Sequence, residues 1–185
     1  PKCFQACPEG WLLYNEYCYL LSSDSKMTWQ KAEESCQSQQ AHLVSILTNE
    51  EMLFVHNLLI TNHVLQDGVY IGMNSFGFVL TVTINPSTGL TDAADEGVWR
   101  WVHDNSRAIF TAWKAGGGNE YSQPDGATIE NCALVKLNGL KSSPSWHDVP
   151  CAMDEYSTYI CKHASVVSDQ LYITGTWHWI KDLTW

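Results

Sequence analysis

SQPDGATIENC runs from Ser122 to Cys132, and WHDVPC follows at Trp146 to Cys151. Amide, carboxylate and imidazole side chains are crowded here between cysteines. Two readings are open from the residues alone: a loop that holds a metal and its ligand, or the polar surface of a disulfide-stapled domain. Calcium is the metal such oxygen donors suit, since it takes about six to eight oxygens from carboxylates, amides and carbonyls. Gln123 offers an amide oxygen, and Asp125, Glu130 and Asp148 offer carboxylates.

Seven cysteines stand at positions 3, 7, 18, 36, 132, 151 and 161, with no C-x-x-C pair. That spacing argues against a zinc ribbon or a thioredoxin-like motif and for disulfides formed in an oxidising compartment. Three intrachain bridges use six thiols and leave one over. The chain carries a formal charge of −10, which disfavours nucleic acid, whose phosphates call for basic patches. No run approaches the roughly 18 apolar residues a membrane span needs. The chain begins at Pro1 without a signal-like stretch, so it reads as the mature form of a secreted, extracellular protein whose leader has been removed.

Local signals organise the 185 residues as one domain with extensions. Trp11 to Leu21 reads as one or two short strands. Thr28 caps an expected helix with Trp29, Ala32 and Cys36 on its apolar face and Glu33 and Glu34 on the other. Thr48-Asn49-Glu50-Glu51 has capping-box spacing, each side chain serving the other's backbone N–H, and it opens a second helix with Met52, Val55, Leu58 and Leu59 as its stripe. Val69 to Met73, Trp99 to Trp101, Ala133 to Leu137 and Tyr159 to Lys162 read as strands, and residues 74–97 as an inserted hairpin or loop. Beyond residue 163 the chain is rich in tryptophan, a surface expected to dock on the domain or a partner.

Cys7-Pro8-Glu9-Gly10-Trp11 with Cys18, Trp29 through Ala32 to Cys36, Ala41 to Ile46, Tyr70 to Met73, Gln123-Pro124-Asp125 and Trp146 to Cys151 together resemble the C-type lectin-like domain, in its long form with a Gln-Pro-Asp triplet. The resemblance covers residues 7–163, leaving an N-terminal segment, 1–6, and a Trp-rich extension, 164–185. It implies an α+β fold in which two helices flank short antiparallel sheets and a long loop region projects from the second sheet. It also implies the pairs Cys7 with Cys18, Cys36 with Cys161 and Cys132 with Cys151. Cys3 is then unpaired and available to link two chains as a disulfide-bonded homodimer.

The resemblance further implies one calcium site on Gln123, Asp125, Glu130 and Asp148, with a cis bond before Pro124, where metal and sugar share one set of ligands. In that family a Gln-Pro-Asp triplet tends to accompany galactose-type sugars. The aromatic ring that commonly stacks on galactose is missing from Gly126 to Ile129, and Tyr121 is the available substitute. His147 departs from the pattern, because the family usually has an Asn there and imidazole is a poor calcium ligand. It is expected to contact sugar directly or stand as a spectator. Gly126 and Asn131 occupy positions where a second calcium site would need acids, so one site is expected.

A secreted, calcium-dependent, galactose- or N-acetylgalactosamine-binding lectin is therefore the leading expectation. The alternative is a calcium-independent module of the same fold that binds sugar, protein, mineral or ice. An enzyme is not expected: no His-Glu-x-x-His helix or nucleophile elbow is present, and the cysteines are taken up in bridges.

Overall fold

The computed structural model describes residues 4–64, 68–75, 97–117, 121–126, 129–137 and 143–168. Cys3, most of the expected insert and the Trp-rich stretch beyond 168 lie outside them. The strands are β1 (Phe4–Ala6), β2 (Leu12–Tyr14), β3 (Tyr17–Met27), β4 (His42–Leu43), β5 (Gly68–Asn74), β6 (Arg100–Trp101), β7 (Cys132–Lys136), β8 (Ser145–Val149), β9 (Tyr156–Ala164) and β10 (Val166–Ser168). The helices are α1 (Trp29–Gln37) and α2 (Asn49–Thr61). Both begin where a threonine can satisfy a free N–H: Thr28 accepts from Lys31 N and Thr48 from Glu51 N.

β1 and β10 form a small antiparallel ribbon joining the two ends of the domain. The remaining strands make one sheet in the order β2-β3-β9-β5-β7-β8, with β4 on β9 and β6 on β5. The pairs are antiparallel except β5 with β9, which run parallel. The expected antiparallel layout therefore gains one parallel joint. Its cause lies in β5, whose seven residues are all buried, so its backbone groups need a protein partner along both edges.

The sheet separates two apolar clusters. On the α2 side lie Val55, Leu59, Ile71, Trp101, Val135, Trp146 and Ile160; on the α1 side lie Ala32, Leu43, Tyr70, Leu134 and the Cys36–Cys161 bridge. α1 is also fastened by Trp29, whose indole N–H donates to Ile71 O at 2.7 Å. Gly72 is required where β5 passes Leu43, because a Cβ there would overlap the Leu43 carbonyl. All three disulfides pair as the resemblance implies. Closing the 125-residue separation of Cys36 and Cys161 contributes on the order of 4 to 5 kcal/mol in the chain-entropy account.

Two glutamates depart from their sequence reading. Glu33, expected on the polar face of α1, is 1% exposed. It sits four residues after Trp29, on the same face as Ala32 and Cys36, and position overrides polarity because donors are waiting: Leu43 N, Gln37 Nε2 and His42 Nδ1 all meet its carboxylate. Glu51 does not complete a reciprocal capping box. Its carboxylate turns inward to accept from Leu47 N, Tyr19 OH at 2.6 Å and Lys162 Nζ at 2.5 Å, while Lys162 also donates to Ser45 O. Burial lowers the Lys162 pKa and Glu51 opposes that shift; burial, then Glu51, raises the Tyr19 phenol.

Removing one member of a buried pair strands the other charge, at a cost of about 3 to 5 kcal/mol, whereas removing both is far milder. Urea unfolding of Glu51→Leu and Lys162→Met should show losses of that order, and the double variant should lose less than the two single losses combined. A second expectation concerns His42, whose pKa is raised above its ordinary 6.5 by the hydrogen bond to Glu33, against the opposing effect of burial. The stability it contributes is complete below the unfolded value and is lost as pH climbs through the raised folded value. Thermal midpoints measured from about pH 6 upward should fall more steeply for the wild type than for His42→Gln.

Candidate functional site

The far edge of the sheet builds the site in three layers. Residues 112–114 run beside β8: Trp146 N donates to Ala112 O at 2.7 Å, Lys114 N donates to Trp146 O at 3.0 Å, and Trp113 bridges Trp146 in parallel. Gln123 N then donates to Lys114 O at 2.9 Å, hanging the next loop on that segment. Indole and phenyl rings of Trp113, Trp146, Trp99, Trp101 and Phe110 pack edge-to-face or tilted beneath it and give the loops a rigid floor.

Asp148, on β8, is buried. Its carboxylate accepts from Asp125 N at 3.1 Å and Gly126 N at 2.8 Å, and its own N–H donates to Gln123 Oε1 at 3.1 Å. The Gln123 amide also donates to Asp125 Oδ1, and the Gln123–Pro124 bond is cis, as the resemblance implies. Glu130 arrives from the other side, two residues before β7, and Gly126 lets it come close: a Cβ at 126 would overlap the Glu130 side chain.

Oxygens of Asp125, Glu130 and Asp148 thereby lie within 4.8 Å of one another. Two oxygens bound to one calcium at about 2.3 to 2.6 Å can be at most about 5 Å apart, so this spacing and this hard donor set fit calcium. The same crowding has an electrostatic signature: burial, then the Asp148 and Asp125 charges, raises the Glu130 pKa above the ordinary carboxylate range. Three of the four expected ligands form the group, and Gln123 is tied to two of them by hydrogen bonds.

The other expected contacts are placed differently. Tyr121 is 81% exposed beside the loop. His147 is outside the carboxylate group; its Nε2 faces Ser145 Oγ at 3.3 Å, and burial, then Lys136 and Lys114, push its pKa down to about 4, so the ring is neutral at ordinary pH. That neighbourhood of His147 was not legible, because pairing between distant segments rather than a local motif creates it. Ile129, 73% exposed and one residue before Glu130, is a further unassigned rim residue.

Comparison with known proteins agrees with this architecture. The family profile described as the lectin C-type domain matches residues 25–163. A perlucin-like protein of Mytilus galloprovincialis is 30% identical over 155 residues, 84% of this chain and 81% of that protein. Two human relatives are matched over 60% and 32% of their own length, so for these the chain corresponds to a part. Among solved structures, the mouse scavenger receptor C-type lectin carbohydrate-recognition domain is 26% identical, with a TM-score of 0.60 over 88% of this chain and all of that one. A calcium-independent type II antifreeze protein shares the fold alone, at 23% identity and a TM-score of 0.58 over 88% of this chain and 98% of its own.

In calcium-free buffer the ionised Glu130 is held where its charge is disfavoured. A neutral isostere removes that cost, so Glu130→Gln should leave the thermal midpoint unchanged or raise it. A clear drop would mean that the carboxylate holds the loop rather than waiting for a ligand.

Proposed function

The chain belongs to the C-type lectin domain family, a family of non-enzymatic binding modules, and from that premise we propose that it is a secreted lectin that binds galactose-type glycans through one calcium ion. The observation that carries the reading is the convergence of Asp125, Glu130 and Asp148 oxygens within 4.8 Å, with Gln123 bonded to Asp125 and Asp148. Calcium, when bound, supplies a Lewis-acidic centre that coordinates vicinal sugar hydroxyls. The chain's own groups do the rest. Asp148 is held rigid by the backbone of the loop it shares, Gln123 offers an amide donor and acceptor in fixed orientation, and Tyr121 offers an exposed ring for the apolar face of the sugar.

One shallow monosaccharide contact of this kind gives about millimolar affinity, roughly 4 kcal/mol. Effective binding then calls for several sites acting together, and a disulfide through Cys3 would supply two without a new contact.

A second reading is favoured by one observation, the imidazole of His147 beside a site that suits an amide oxygen. It is a calcium-independent module, and the antifreeze protein of the same fold provides the precedent.

Retention on immobilised galactose in millimolar calcium, followed by release with a chelator, separates the two. The calcium lectin predicts retention and complete release, with Glu130→Gln failing to be retained. Retention that survives the chelator sinks the calcium reading in favour of the second one, and no retention on galactose sinks the sugar assignment.

A further inference from the structure

The three carboxylates of the candidate site are not held alike. Asp148 accepts from Asp125 N and Gly126 N, and Asp125 Oδ1 accepts from the Gln123 amide. Glu130 has no such support: among the described residues no donor meets its carboxylate, while the charges of Asp148 and Asp125 bear on it. A flexible acid among like charges swings away unless the backbone that carries it is fixed. The place of Glu130 beside Asp148 is therefore set by the residues on either side of it.

On the N-terminal side, Ile129 N donates to Gly126 O at 3.0 Å, and Gly126 N is itself bonded to Asp148. On the C-terminal side, Asn131 is gripped by Ser75, 56 residues earlier in the chain. Ser75 meets it twice: the backbone N–H donates to Asn131 O at 3.0 Å, and the hydroxyl donates to Asn131 Oδ1 at 2.6 Å. Asn131 is 4% exposed, so the contact is sheltered from water. Ser75 directly follows β5, whose last residue, Asn74, is buried and stands opposite Cys132. The pair thus carries the β5–β7 ladder one step further, to the residue next to Glu130. Cys132, the residue after Asn131, is bridged to Cys151. Ser75 and Asn131 are both neutral, so this hold adds no charge to a crowded site.

The geometry points to Ser75 as a positioning residue for the candidate calcium site: through its two bonds to Asn131 it fixes the backbone from which Glu130 reaches Asp125 and Asp148. This rests on the reading of that group as a calcium site. The Ser75 hydroxyl is donated to Asn131, so it acts on the ion only through Glu130. Its effect is to hold the ligand set assembled before the ion arrives, so that ordering Glu130 is not a cost of binding.

The test measures calcium affinity by calorimetry on the full chain as wild type, Ser75→Ala and Ser75→Thr, and follows amide exchange by NMR in the same proteins without calcium. Ser75→Ala removes one hydrogen bond and should weaken calcium about fivefold, while Ser75→Thr keeps the hydroxyl and should stay within about twofold of wild type. In the calcium-free proteins the Ile129 and Asn131 amides should exchange faster in Ser75→Ala than in the other two. A hydroxyl with a merely structural role would lower the thermal midpoint and leave calcium affinity unchanged. That result, unchanged amide exchange, or a Ser75→Thr as weak as Ser75→Ala overturns the positioning role and leaves the calcium site standing. No calcium binding by the wild type overturns both.

Discussion

A carboxylate taken out of water must be given donors, and among the described residues three are buried: Glu33, Glu51 and Asp148. Each stands on a regular element and captures backbone N–H groups from another stretch of chain. Glu33 of α1 takes Leu43 N, Glu51 of α2 takes Leu47 N, and Asp148 of β8 takes Asp125 N and Gly126 N. The first two fix the middle and the far end of the segment between the helices, which pairs with β9 at His42–Leu43. The third fixes the loop that carries the candidate ligands. A burial that would be costly for a lone charge is thus tied to the course of the irregular chain, whose backbone supplies the donors.

β9 is where these constraints meet. It pairs with β3, β4 and β5, carries Cys161 to the α1 side and sends Lys162 to Glu51 of α2. From it the sheet passes through β5 and β7 to β8, and the site is built on that last strand. Distance from the hub has a physical use. The candidate edge can carry three mutually repelling carboxylates because two apolar clusters and three disulfides, of which Cys132–Cys151 ties β7 to the end of β8, supply the stability that tolerates them.

How much of this was legible depends on the range of the interaction. The helix starts at Thr28 and Thr48 are local events and were readable, as were the apolar strands around Ile71 and Leu134. Glu33 was readable in position, four residues after Trp29, but its chemical type pointed outward, and the donors that reverse that choice come from beyond the helix. The partner of Glu51, Lys162, lies 111 residues away, beyond any local pattern. The carboxylate group entered through the resemblance. Spacing alone could not have said that Gly126 opens the room in which Glu130 reaches Asp148.

The ribbon of β1 and β10 places Phe4 opposite Ser168, so a pull on the two ends of the domain acts there first. Its few backbone bonds open one after another, like a zipper. Load then passes from Cys7 directly to Cys18, along the chain to Cys36, and across to Cys161. Residues 37–160, including every candidate ligand, lie outside that covalent path. Tension applied between the two ends can extend the stretch between Cys18 and Cys36 and little more, so a domain pulled from both ends keeps the strands that carry the candidate ligands out of the load.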